Sequence, residues 1–188
     1  AAQLESDKFF SYDIMKLLNI PQAESIKCFT REDSINAINN LSTERGIVIK
    51  ARRLTAGKGV SVCNSKEEAL KEIILHSQKY GEEVLISERL FGEECSIFGI
   101  SDGTTVLPFE IAVQDHKRLL DGDNGPNTGG MGAYCPTPFA SQETIKDITK
   151  KILIPIIEKL KELDTEYKGF LYAGLIKTDE GFKVLEFN

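Results

Sequence analysis

The chain contains no apolar run approaching the ~20 residues that a membrane-spanning helix needs, no block of Lys and Arg, and no closely spaced cysteines. The first absence excludes a helical span, and the N-terminal A-A-Q-L-E-S-D-K lacks the pattern of a secretory signal. The second leaves no electrostatic footprint for nucleic acid or for an anionic membrane, since 23 Lys and Arg against 29 Asp and Glu make a net charge of -6. Cys28, Cys63, Cys95 and Cys135 lie far apart, which excludes a CxxC pair and leaves scattered reduced thiols, as in a cytoplasmic protein. A Ser-His-Asp or Cys-His constellation is missing too. Of the 2 histidines, His76 on a Lys-rich helix reads as a surface residue, and His116 is the better functional candidate. The remaining composition, 41% hydrophobic and 28% charged, describes one or two ordinary soluble domains. Opening on Ala rather than Met, the chain reads as a piece of a longer one.

What is present is a mixed α+β pattern. Residues 5 to 18 carry an amphipathic spacing that ends at Asn19-Ile20-Pro21. Residues 22 to 29 and 46 to 50 read as strands joined by a helix from about Glu32 to Leu41, and Ser65 with Glu68 predicts a capping box for a helix running up to Gly81. Strands are expected at 83 to 88, 94 to 101 and 104 to 113, the last two joined through Asp102-Gly103. A helix over 141 to 163, with a kink at Pro155, precedes strands at 170 to 177 and 182 to 188.

Four stretches carry candidate chemistry. The densest is Q-D-H-K-R-L-L-D-G-D-N-G-P-N-T-G-G-M-G-A-Y at 114 to 134, where Asp115, His116, Lys117 and Arg118 precede a glycine-rich stretch whose amides can approach a ligand; a solvated loop has the same composition. The second, A-R-R-L-T-A-G-K-G-V at 51 to 60, follows Lys50 and can fold its amides over phosphates while Lys50 and Lys58 neutralise oxygens. It is not a Walker loop, because Arg52 and Gly59 stand where Gly and Ser or Thr belong, and an exposed hairpin turn fits it equally. In the third, L-E-F-N, strand alternation puts Glu186 and Asn188 on one face, a pair of oxygen donors suited to Mg²⁺ or simply a solvated edge. The fourth, I-S-E-R-L-F-G-E-E-C-S, sets Glu88 and Glu94 at strand ends, where they can accept bonds from a nucleoside or remain a charged turn.

In this order the four stretches, together with G-F-L-Y-A-G-L, resemble the ATP-grasp core of the phosphoribosylamine-glycine ligase (glycinamide ribonucleotide synthetase) family over essentially the whole chain. The resemblance implies an ATP-grasp fold of two α+β subdomains with nucleotide between two sheets: a lid at about 46 to 88, and a larger metal and substrate subdomain of 1 to 45 plus 89 to 188. It implies that Lys50 and Lys58 hold ATP phosphates, with Gly57 and Gly59 closing the flap. Glu88 and the backbone to Leu90 would line the adenine pocket, Glu94 would take the ribose hydroxyls, and Glu186 with Asn188 would hold Mg²⁺ or Mn²⁺. Lys58 and Asp115, His116, Lys117 and Arg118 would form the catalytic group, with Asn127, Thr128, Gly129, Gly130 and Met131 shaping the substrate side.

The implied reaction joins glycine to 5-phosphoribosylamine through glycyl phosphate, which supplies the leaving group that a carboxylate lacks and requires no protein nucleophile. Departures from the family pattern fall near these positions: Arg52 and Arg53 replace Asp-Gly, Ser87 replaces a glutamate, and Ser6-Asp7 replaces Gly-Ser. The family's N-terminal domain and its continuation beyond E-F-N are also absent from the chain, so the piece alone is expected to be inactive and to depend on the missing domains of its parent chain. Two other readings stay open: an ATP-grasp ligase with another amine acceptor, and a non-catalytic ATP-binding module.

Overall fold

The computed structural model describes residues 1–41, 45–55, 58–122 and 124–188, with the backbone alone at 124, 126 and 127. Gly57 therefore lies outside the described residues, as does the side chain of Asn127. The chain divides into two compact units, an N-terminal one of Ala2–Asp13 and Gln22–Phe91 and a C-terminal one of Ala1, Ile14–Pro21 and Gly92–Asn188.

The N-terminal unit contains α1 (Gln3–Ser6), the first part of α2 (Lys8–Leu17), β1 (Ser25–Cys28), α3 (Arg31–Asn40), β2 (Ile47–Ala51), β3 (Val60–Cys63), α4 (Lys66–Tyr80) and β4 (Val84–Glu88). Its antiparallel sheet runs in the order β1-β4-β2-β3. Alternation along β2 buries Ile47 and Ile49 in a core with Ile38 of α3, Ile73 of α4 and Ile86 of β4; each such side chain contributes roughly 1.5–3 kcal/mol. Residues 22 to 41 group with these strands, which extends the unit beyond the 46 to 88 expected of a lid, because β1 pairs along the full length of β4 from Ser25↔Ser87 to Cys28↔Val84.

Helix capping differs from expectation in one detail. Ser65 Oγ accepts from the backbone N–H of Glu68 at 3.1 Å, but the Glu68 carboxylate accepts from Asn64 rather than closing the box on Ser65. The complete box is at α3, where Thr30 Oγ1 accepts from Asp33 N–H and the Asp33 carboxylate accepts from Thr30 N–H.

The C-terminal unit contains β5 (Glu93–Asp102), β6 (Val106–Pro108), β7 (Gln114–Asp115), β8 (Arg118–Leu120), β9 (Asn124–Asn127), β10 (Ala133–Tyr134), α5 (Gln142–Ile148), α6 (Ile154–Glu162), β11 (Lys168–Thr178) and β12 (Gly181–Phe187). Its main sheet runs β12-β11-β5-β6, again antiparallel, and α5 and α6 bury an apolar stripe that includes Ile145, Ile156 and Leu160. The strand expected over 104 to 113 breaks after Pro108. Phe109 N–H still donates to Phe98, but the next rung joins Ser96 to Val113, so three residues, 110 to 112, oppose the single residue Ile97 and the excess leaves the ladder. The single helix expected over 141 to 163 is interrupted by a π-helical turn, Thr149–Leu153, immediately before Pro155. Proline lacks an N–H and crowds the carbonyl four residues back, and the wider turn accommodates both without a helix end.

Candidate functional site

In the N-terminal unit the turn between β2 and β3 is tied down at each end. At its entry, Asp7, which is 4% exposed, accepts from Arg52 Nε at 3.0 Å and Arg52 Nη2 at 2.7 Å, and from Arg53 Nη1 at 3.2 Å. Arg52 also donates to Glu83 at 2.8 Å and stacks over Phe9, 4.9 Å from the ring centre. The hydrogen bonds from Arg52 hold the Asp7 carboxyl below the usual carboxylate range against the opposing effect of burial, and those from Phe9 and Phe10 N–H add to them. Three positions that depart from the family pattern thus meet in one ion-paired group. At the exit, Gly59 N–H donates to Thr55 Oγ1 at 2.8 Å, and a Cβ on Gly59 would stand 2.7 Å from Thr55 Cγ2; glycine is needed here for close approach. Lys58, between these anchors, is exposed, and Lys50 lies in β2 opposite Val60 and Leu85.

His76 is not on the surface. Its position on α4 faces the core, it is 1% exposed, and its Nε2 lies 3.2 Å from the Gly59 carbonyl. The lysines of α4 misled the expectation: Lys79, one turn on from His76, is exposed, yet the histidine position itself turns into the core.

Glu88 ends β4 half-buried, with its carboxylate accepting from Glu24 N–H at 3.0 Å, and Leu90 follows two residues on. Ser87 is buried and shares a 2.8 Å hydrogen bond with Ser25, so its hydroxyl is engaged within the sheet.

In the C-terminal unit, register brings distant residues to one face of the main sheet. Gly174 of β11 stands opposite Ser96 on one side and Glu186 on the other. A Cβ on Gly174 would be 3.0 Å from Tyr172 Oη and 3.3 Å from Glu186 Cγ, so the missing side chain lets those two approach. Lys117 Nζ lies 3.9 Å from Glu94 Oε2 and 4.0 Å from Glu186 Oε1, in a concavity also lined by Ser96, Asp115 and Tyr172. Burial pushes the Lys117 pKa down, but Tyr172, Glu94, Glu186 and Asp115 outweigh it and the net shift is upward, so the ammonium stays charged. Burial raises the Tyr172 phenol, and Ser96 donates to its oxygen at 3.2 Å. Tyr172 was not singled out from sequence, although it lies in the G-F-L-Y-A-G-L stretch. Phe187 is buried on the opposite face while Asn188 is exposed, as strand alternation requires, and the Asn188 backbone pairs with Tyr172.

The glycine-rich stretch forms two short antiparallel ladders rather than an open loop: β7 with β10 and β8 with β9. Between them, His116 N–H donates to Gly132, Met131 N–H to His116, and both Thr128 N–H and Thr128 Oγ1 to the Lys117 carbonyl. Gly130 N–H reaches Thr128 Oγ1 at 3.1 Å, and Gly129 beside it is exposed. Arg118 donates to the Gly125 carbonyl at 2.7 Å, and the His116 ring stacks on Tyr134 at 5.7 Å. Thus Asp115, Lys117, Glu94 and Glu186 come together, whereas Arg118 turns to its own hairpin and His116 to Tyr134.

The oxygen donors Glu186 and Asn188 at the end of β12 suit a hard divalent cation that keeps several waters, with Lys117 neutralising part of the Glu186 charge. Among the described residues no group of three or more His, Cys, Asp or Glu is arranged to hold a metal by itself. A cation there would have to complete its shell from water or a bound phosphate.

The chain is 42% identical over 197 residues to phosphoribosylamine-glycine ligase of Rhodopirellula baltica, covering 100% of this chain and 45% of that protein. It is 45% identical over 193 residues to the human trifunctional purine biosynthetic protein adenosine-3, of which it covers 19%. It therefore spans a little under half the length of the single-function relative and about a fifth of the trifunctional one. The crystal structure of phosphoribosylamine-glycine ligase from Thermotoga maritima superposes with a TM-score of 0.87 at 35% identity, over 100% of this chain and 48% of that one. The ADP complex of an N5-carboxyaminoimidazole ribonucleotide synthetase matches at a TM-score of 0.72 and 19% identity, which shows a shared fold alone. The fold is ATP-grasp. With residues 6–188 also matched by the family model described as phosphoribosylglycinamide synthetase, ATP-grasp (A) domain, the chain belongs to that family.

Proposed function

We propose that the longer protein carrying this chain joins glycine to 5-phosphoribosylamine at the expense of ATP, releasing ADP and phosphate. The observation that supports this most is the convergence of Glu94 and Glu186 on Lys117, beside the ladders of the glycine-rich stretch, in a chain of this family. Lys50 and Lys58 would hold ATP phosphates, with Gly57 and Gly59 in the turn over them; Glu88 and Leu90 would line the adenine pocket, and Glu94 would take the ribose hydroxyls. Glu186 and Asn188 would hold Mg²⁺ or Mn²⁺, which when bound offsets phosphate charge.

The glycine carboxylate would attack the γ-phosphorus, forming a C–O–P linkage as the bond to ADP breaks. The amine of phosphoribosylamine would then attack the acyl carbon, expelling phosphate and losing a proton. Lys58 and Lys117 would offset the charge that develops on the transferring phosphoryl group. Asp115, His116 and Arg118, with Asn127, Thr128, Gly129, Gly130 and Met131, would shape the acceptor side and exclude water from the acyl phosphate. The cytoplasm, which holds ATP and reduced thiols, is the compartment this chemistry fits.

ADP release from the longer protein, measured with Mg·ATP and with glycine or phosphoribosylamine omitted in turn, tests this. Release is expected only when both are present, and the 188-residue chain alone, spanning less than half of its single-function relatives, is expected to bind nucleotide without turnover. Release without glycine would mean another substrate, and no release despite ATP binding would favour a binding module.

A further inference from the structure

One of the contacts at the exit of the β2–β3 turn comes from His76. A carbonyl only accepts, so the 3.2 Å contact with Gly59 requires that Nε2 carry the proton, leaving Nδ1 a bare acceptor. Nδ1 is buried and has no partner among the described residues. An unpartnered buried polar atom costs about 1–3 kcal/mol, while the one hydrogen bond made contributes only about 1 kcal/mol. An apolar side chain of similar size would therefore stabilise α4 at least as well, and core packing does not account for a histidine here.

What the imidazole does supply is direction. The Gly59 carbonyl also accepts from Ala51 N–H at 2.8 Å, and Gly59 N–H is taken by Thr55 Oγ1, so both polar groups of the residue after Lys58 are fixed. The ring of Tyr80, 4.9 Å away, restrains the imidazole plane. Burial holds the His76 pKa below its ordinary value despite the Gly59 contact and Glu72, so the ring remains neutral and the contact persists at neutral pH.

We propose that His76 is a positioning residue for the phosphate-binding turn: by holding the Gly59 carbonyl it sets the course of the backbone that aims Lys58 at the phosphates of a nucleoside triphosphate. This rests on the reading of the turn as a phosphate site. The test uses the longer protein and Mg·ATP in equilibrium dialysis, with thermal midpoints recorded alongside. The Gln amide nitrogen reaches where Nε2 stood, whereas the Asn amide stops at the Nδ1 position. His76→Gln is expected to bind Mg·ATP within about twofold of the parent, while His76→Asn and His76→Phe weaken it by about tenfold, near the worth of one aligned hydrogen bond. The Gln and Asn variants are both polar, and their comparison stands even if His76→Phe does not fold. Equal binding by Gln and Asn variants, or parent-like binding by His76→Phe, overturns the proposal. A parent protein that binds no Mg·ATP would instead remove the phosphate reading itself, and this role with it.

Discussion

Asp7 is the residue on which most of the unusual chemistry in the N-terminal unit converges. It accepts from Arg52 and Arg53 and from the Phe9 and Phe10 N–H groups that open α2, all while nearly inaccessible to solvent. Removing Asp7 leaves half-buried Arg52 with Glu83 alone and takes the acceptor from the Phe9 and Phe10 N–H groups. Asp7→Ala is expected to lower stability by about 2–4 kcal/mol and the thermal midpoint by on the order of 5–10 °C, measured by calorimetry. Because its folded-state pKa is lowered, the carboxylate contributes stability that is fully present above the ordinary range near pH ~4 and is lost as pH falls through the lowered value. Acid titrations of the parent and of Asp7→Asn should therefore converge below about pH 4. An unchanged gap in stability at low pH would show that the ion pairs are not what Asp7 supplies. Little of this was legible in the sequence, where Asp7, Arg52 and Arg53 stood out only as departures from the family pattern. Their compensation depends on α2 and the end of β2 lying together, across some 45 positions of intervening chain.

At the scale of elements, sequence and structure agree where periodicity is local and part where one element meets another. The strand expected at 46 to 50 and the helix expected up to Gly81 rest on neighbouring residues and survive in the fold as β2 and α4. The end of β6 and the π-helical turn before Pro155 do not announce themselves, because each depends on what lies opposite or four residues back. Capping shows the same division. Ser65 and Thr30 both accept from the N–H three residues on, but only Asp33 returns the contact to its own cap residue. Replacing either cap by Ala should cost about 1 kcal/mol in urea unfolding, since each leaves a helix N–H without its acceptor. The two losses are expected to be similar, because the Thr30 N–H from which Asp33 accepts remains in the alanine variant, and a clearly larger loss at Thr30 would show that the two halves of the box are coupled.

For the whole molecule, the buried thiols offer a direct readout of cooperativity. Desolvation raises Cys28 and Cys95 to about 11 and Cys63 to about 12, keeping them protonated, whereas Cys135 is exposed. Only thiolates react with disulfide reagents, so one cysteine, Cys135, should label quickly in the native protein and the other three only on unfolding. Cys28 and Cys63 belong to the N-terminal unit and Cys95 to the C-terminal one, so separate release of the two sets would show that the units open independently. No helix among the described residues is long and apolar enough to cross a membrane.

From the sequence by itself came the α+β character, the order of most elements and the residue types able to meet phosphate and a hard cation. These follow from period, turn chemistry and the side chains themselves, all of which act over a few residues. Only the tertiary structure decided that His76 is buried against Gly59, that Asp7 answers Arg52, and that Lys117 meets Glu94 and Glu186 while Arg118 does not. Those contacts rest on strand register and helix packing, and a shift of one residue in β5 or β12 would turn Glu94 or Glu186 to the opposite face.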